Sequence, residues 1–180
     1  MNNANEVAKW ILCEAKRQGI FMTHMKLQKL LYYAQSYFIG MTGSPLFYNR
    51  IEAWEHGPVV PDVYRTYSKY GNEIISDVDE KEIPEEFYNI ISNLIKDKGY
   101  FSALELRNMT HEEKPWLIAH SNSDSNLITT EMLNETFTPD FWTSDEEDEY
   151  QPSFDSLDDE EKYFLSKLTP EERNAIANSR

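Results

Sequence analysis

Four histidines, one cysteine and a few carboxylate clusters are the side chains from which this chain would have to build a reactive centre. Metal sites draw on closely spaced ligand pairs, and none of His24, His56, His111 and His120 has a His or Cys partner at such a spacing. His111 and His120 come nearest, nine residues apart with Pro115 between them. Cys13 sits among apolar neighbours and far from any histidine, which fits an inert buried thiol better than an activated nucleophile. Gly40 and Gly43 lack the rest of a phosphate-cradling loop, and Asp145–Glu149 lacks the glycine and the ligand spacing of a calcium loop. A hydrolytic site would have to set His56 or His111 against Glu52 or Glu113 through tertiary contacts. The expectation is therefore a protein that is not an enzyme, with no catalytic residue, no cofactor and no metal. What remains is aromatic surface, since Trp and Tyr combine apolar area with a polar handle and anchor interfaces.

The elements that must position these rings are mostly helices. Asn5 is placed to cap a first helix with Val7, Trp10, Ile11 and Ala15 on one face, and Gly19 suits its left-handed stop. Thr23 caps a second, on which Leu27, Leu30, Leu31, Ala34, Tyr37, Phe38 and Met41 form a broad apolar stripe, with Lys26, Gln28 and Lys29 opposite. That breadth marks the helix as the central pillar, ended by Gly40, Gly43 and Pro45. Residues 46–54 read as a short strand or extended segment, His56-Gly57-Pro58 as a turn, and Pro61 as the first residue of a helix running through Tyr64, Tyr67 and Tyr70 to Gly71.

Pro84-Glu85-Glu86 opens an amphipathic helix carrying Phe87, Ile90, Ile91, Leu94 and Ile95. Ser102 to Glu105 and Thr110 to Glu113 both match the capping-box pattern and predict two short helices, the second interrupted by Pro115-Trp116. A polar loop over 121–126 precedes a last short helix near 130–135. The fold class is mainly α: a compact multi-helix domain over 1–139 with at most a short β-hairpin near 46–54. Residues 140–180 form an acidic linker around 145–149 and an extension of short helices, with a weak stripe of Leu157, Phe164, Leu165 and Leu168.

The 180 residues carry a formal net charge of −15. Residues 1–139 hold 13 Lys/Arg against 19 Asp/Glu, and residues 140–180 hold 4 against 13. Such a chain meets nucleic acid with net repulsion, and no run approaches the roughly 20 apolar residues that span a bilayer. With one cysteine and a Met1-Asn2-Asn3 start, a cytoplasmic setting is expected.

Three motifs in order then carry a resemblance. Lys26-Leu27-Gln28-Lys29-Leu30-Leu31-Tyr32-Tyr33-Ala34 is followed by Ile51-Glu52-Ala53-Trp54 with Gly57-Pro58-Val59-Val60 and Val63-Tyr64, and then by Thr110-His111 with Pro115-Trp116. Together they resemble the Panacea domain, the SocA-like antitoxin domain also found in prophage-associated proteins, over about residues 5–135. The resemblance implies a mainly helical antitoxin of a type II toxin–antitoxin system that neutralises a cognate toxin by direct contact. One relative delivers its toxin to a AAA+ protease, which makes such a protease a second implied partner. The alternative is a phage- or prophage-encoded protein that binds a host target. The residues expected to meet the partner are Trp54, Gly57, Pro58, Tyr64 and Tyr67 at the Gly-Pro corner, with His111 and Trp116.

Overall fold

Asn3, not Asn5, caps the first helix, α1 (Ala4–Arg17), in the computed structural model of the chain, which describes residues 2–78 and 80–137. Its side chain accepts from the Asn5 amide, and Glu6 reaches back to the Asn3 amide. The earlier asparagine wins because only it has a glutamate three residues on to close the capping box. Gly19, at φ +70°, provides the expected stop.

The second helix, α2 (His24–Thr42), starts at the expected Thr23 cap and ends at Gly43 with φ +69°, so Gly40 lies inside it. It is the pillar of the fold: α1 and four of the helices described below pack against it, as does one strand. A helix enclosed on so many sides has little solvent face, and the expectation for its polar residues is overturned. Lys26, Gln28 and Lys29 are buried, Lys29 to 1% exposure. Met41, assigned to the apolar stripe, is 66% exposed because it stands in the last turn, where residues 41–44 are all exposed.

Strand β1 (Ile51–Trp54) pairs antiparallel with β2 (Gly57–Val59), Glu52 opposite Val59 and Trp54 opposite Gly57. Glu55 and His56 form the connecting turn, so Gly57-Pro58 belongs to a strand and not to the turn itself. A strand that the sequence did not announce, β3 (Leu127–Ile128), pairs on the other side of β1 and completes a sheet of order β2-β1-β3.

Pro61 opens α3 (Pro61–Tyr67), which tightens into a 3₁₀ turn over Ser68–Tyr70 instead of remaining α-helical to Tyr70. The acidic start and the buried Ile91, Leu94 and Ile95 of α4 (Glu85–Lys98) are as expected, and its Phe87 stacks on Trp10 of α1 with ring centroids 5.2 Å apart. Ser102 and Glu105 form their capping box at α5 (Ala103–Glu112). The second predicted box does not form. Thr110 lies within α5, and Glu113, at the junction with α6 (Lys114–Ser121), turns its carboxylate to two tyrosines of α2. Pro115 sits in the first turn of α6, where its missing N–H costs no helical bond.

The last described helix, α7 (Thr130–Thr136), is capped by Thr129, and Phe137 beyond it is fully buried edge-on to Tyr32. The acidic linker, the stripe from Leu157 to Leu168 and the boundary at 139 lie outside the described residues. Among the described residues no helix is long and apolar enough to cross a membrane.

Candidate partner-binding site at the Gly-Pro corner

Two consecutive polar residues of α2 pin the corner from beneath. Gln28 Oε1 accepts the Val60 amide at 2.8 Å, and Lys29 Nζ donates to the Pro58 carbonyl at 3.0 Å. The lysine passes so close to the hairpin that a Cβ on Gly57 would stand 2.8 Å from both Lys29 Cε and Nζ and 3.0 Å from Thr110 Oγ1. Gly57 also holds φ +96°, a region that penalises any side chain. Glycine is thus required here twice. Pro58 follows naturally, because β2 is an edge strand and can spare an N–H while its carbonyl serves the lysine.

Burial in this cradle lowers the Lys29 ammonium to about 7, with the Arg107 charge adding to the effect. His24 is lowered for the same first reason, burial, and then by Lys29. His111 is lowered by burial and by a ring of cationic neighbours, Arg107, Lys29, His120 and His56. Positive groups therefore concentrate beneath and beside the corner of a chain that is otherwise strongly acidic.

Trp116 fastens α6 to the hairpin. Its Nε1 donates to the Trp54 carbonyl at 3.0 Å, while its ring lies between His111, 3.9 Å away and nearly parallel, and His120 at 4.3 Å. On the solvent side, the Trp54 ring meets Tyr64 of α3 at 5.0 Å, and Tyr64 meets His24 at 4.6 Å. Glu52 holds the Trp54 indole N–H at 2.8 Å and is itself paired with Arg50. A groove of about 420 Å³ runs between these rings, with Gln28 and Lys29 in its lining and His56 and Asn72 at other points of it.

The expected partner residues divide by accessibility. Gly57, Pro58 and Trp116 are buried and shape the corner, Tyr67 is buried, His111 and Trp54 are half-buried, and Tyr64 is 38% exposed. Trp54, Tyr64 and the Gly-Pro strand are brought together; His111 and Trp116 join them through the Trp54 carbonyl; Tyr67 packs instead near Tyr70. Sequence reasoning missed His24, Gln28 and Lys29. A lysine and a glutamine in the middle of a helix already read as the pillar were the available signal, because such a helix has no face left for solvent.

The carboxylates once set beside histidines are engaged elsewhere. Glu113 accepts from Tyr32 at 2.6 Å and from Tyr33 at 2.8 Å, and burial raises its carboxyl above the usual range even though both hydroxyls oppose the shift. Cys13 is buried, and its sulfur accepts a hydrogen bond from the Lys81 amide. Among the described residues no group of three His, Cys, Asp or Glu side chains is placed to hold a metal ion.

A family model described as antitoxin SocA-like, Panacea domain, matches residues 27–117, which begins in α2 just before Lys29 and ends in α6 just after Trp116. The chain is also 32% identical to antitoxin SocA of Caulobacter vibrioides over 139 residues, 69% of this chain and 74% of that protein. The chain belongs to the SocA-like Panacea family. No solved structure matches it. The Panacea match takes in the whole corner: the pillar lysine, both strands of the hairpin, Tyr64, Thr110 and Trp116. Helix α1, strand β3 and helix α7 lie outside the Panacea match, yet they supply Trp10, Ile128 and Leu133 to the same core.

Proposed function

We propose that this Panacea protein is an antitoxin of a type II toxin–antitoxin system that neutralises a cognate toxin by direct protein contact and without catalysis. The observation that carries the reading is how the family's motif residues are used. Lys29, Gly57, Pro58, Thr110 and Trp116 are spent on fixing one corner, whose outer side presents Trp54 and Tyr64 around a half-open groove. Rigid aromatic anchors at a preorganised concave site are what a protein partner needs, because little conformational entropy is lost on binding. The kinship to antitoxin SocA supports a toxin as that partner.

The acidic balance of the chain favours a partner with a net positive charge, which long-range attraction would steer to it. Delivery of the bound toxin to a AAA+ protease is a further step of the same reading. Nucleic acid and membrane are outside it.

Co-expression with the product of the adjacent gene tests the reading. The neighbour alone should arrest growth, and this protein should restore growth while co-purifying with the neighbour. A harmless neighbour, or one that stays toxic with this protein present, would sink the antitoxin role. Toxin half-life measured with and without this protein, in cells with and without the protease, separates adaptor action from simple masking.

A further inference from the structure

We infer that the groove under Trp54 and Tyr64 is a carboxylate pocket, which takes an Asp or Glu side chain presented by the partner protein between the rings and the nitrogen donors of α2. The inference rests on the toxin-binding reading for its partner but not for its chemistry.

Three nitrogen-bearing side chains of α2 line this groove: His24 and, one turn on, the adjacent Gln28 and Lys29. All three are more than nine-tenths buried. Gln28 spends its carbonyl oxygen on Val60, leaving its amide N–H₂ with no acceptor among the described residues. His24 Nε2 likewise meets no hydrogen-bond partner. Lys29 gives one of three N–H bonds to Pro58. Arg107 Nε and His111 Nε2, whose charges reach the same cluster, are also buried and unmatched. Buried polar nitrogens are nearly always satisfied, so the unmatched Gln28 N–H₂ beside the unmatched His24 Nε2 in one groove points to an acceptor that comes from outside.

The charge of that acceptor follows from its surroundings. The charged groups acting on Lys29, His24 and His111 are cationic, and among the described residues the carboxylate lining the groove, Glu55, is on its exposed turn. An anionic acceptor would favour the charged forms that burial and mutual repulsion disfavour in the free protein. The shape of the site then selects among anions. Both orphan nitrogens of His24 and Gln28 are covered in the free protein, so an acceptor reaches them only as groove side chains shift around it. A free ion offers nothing in return for that shift. A side chain carried on a peptide adds apolar contact with Trp54 and Tyr64, and a carboxylate on a short methylene stem matches a floor of donors under aromatic walls.

The test is an NMR titration of the intact ¹⁵N-labelled chain with two blocked peptides, acetyl-Leu-Glu-Leu-amide and its Gln counterpart, and with inorganic phosphate. The Glu peptide should shift the Trp54 indole and the amides of His24, Gln28 and Val60, at an affinity at least tenfold above that of the Gln peptide and of phosphate. Tyr64→Ala and His56→Glu, both at the exposed edge, should weaken the Glu peptide at least fivefold, and Lys29→Met should abolish the difference between the peptides. Tyr64 and His56 keep the test independent of whether Lys29→Met folds. Equal binding of the Glu and Gln peptides, phosphate binding as tightly as the peptide, or shifts centred away from these residues would overturn the pocket. A peptide of residues 140–180 that outcompetes the Glu peptide would move the site to this chain's own tail and overturn the partner assignment. The two readings fail separately. A toxin neutralised equally well by wild type and by Tyr64→Ala with His56→Glu keeps the antitoxin role and rejects the pocket, whereas selective Glu-peptide binding with no neutralised toxin does the reverse.

Discussion

Substituting Gly57 by alanine tests whether the Gly-Pro corner is built as described, because two separate costs fall on one methyl group. The backbone there holds φ +96°, and a non-glycine residue in such a conformation costs on the order of 1–3 kcal/mol. The new Cβ would also stand 2.8 Å from Lys29 Cε and Nζ. The end of a lysine is normally easy to move, but this one is 1% exposed and bonded to the Pro58 carbonyl. Displacing it gives up a buried hydrogen bond, about 1–3 kcal/mol. The sum is about 2–6 kcal/mol, a large share of the 5–15 kcal/mol typical of a folded domain. Urea unfolding followed by circular dichroism on wild type, Gly57→Ala, Lys29→Ala and the double variant measures both parts. Lys29→Ala removes the atoms that clash, so the double variant should be more stable than additivity predicts by about 1–3 kcal/mol, leaving the backbone cost behind. A Gly57→Ala protein within about 0.5 kcal/mol of wild type, or strict additivity, would refute the cradle.

Three further outcomes follow from the same geometry. Lys29 is held at about 7 against an ordinary 10.5, so the cost of burying its ammonium is full below pH 7 and is relieved as the pH rises toward 10.5; between pH 7 and 9 wild type should gain up to about 3 kcal/mol in unfolding free energy relative to Lys29→Met. The Glu113 carboxyl is shifted the other way, upward, so its contribution is largest at acid pH and is lost as the pH rises from 4.5 through the folded value; stability relative to Glu113→Gln should fall between pH 4 and 7 in parallel denaturation series. Trp116→Ala removes a buried ring stacked between two histidines and the bond to the Trp54 carbonyl, and should cost about 3–5 kcal/mol by the same assay.

The helices were legible where a local rule decides them. Thr23 and Ser102 with Glu105 mark a start through cap bonds made within one turn, Pro61 through its fixed φ and Pro84-Glu85-Glu86 through an acidic first turn, and each start is where the sequence places it. The misreadings came where a distant residue outbid the local one. Glu113 could have capped a helix at Thr110, but Tyr32 and Tyr33 claim its carboxylate from across the core. Lys29 looked like a solvent lysine because its periodic position faces away from the leucines, and only the enclosure of α2 shows otherwise. Strand β3 is two residues long and exists because β1 offers it an edge, which no local pattern announces. At the site, the Gly-Pro signature and the aromatic rings were visible, and the α2 nitrogens beneath them were not.

The most direct test of the central claim is the affinity of the purified complex with the neighbouring toxin, measured by calorimetry for wild type and Tyr64→Ala. Tyr64 is 38% exposed, and its loss should leave the melting temperature of the free protein within a few degrees. If the Trp54–Tyr64 face is where the toxin docks, Kd should rise at least tenfold, an anchor's loss of about 1.4 kcal/mol or more. An unchanged Kd in the folded variant would contradict the account and place the partner on another surface.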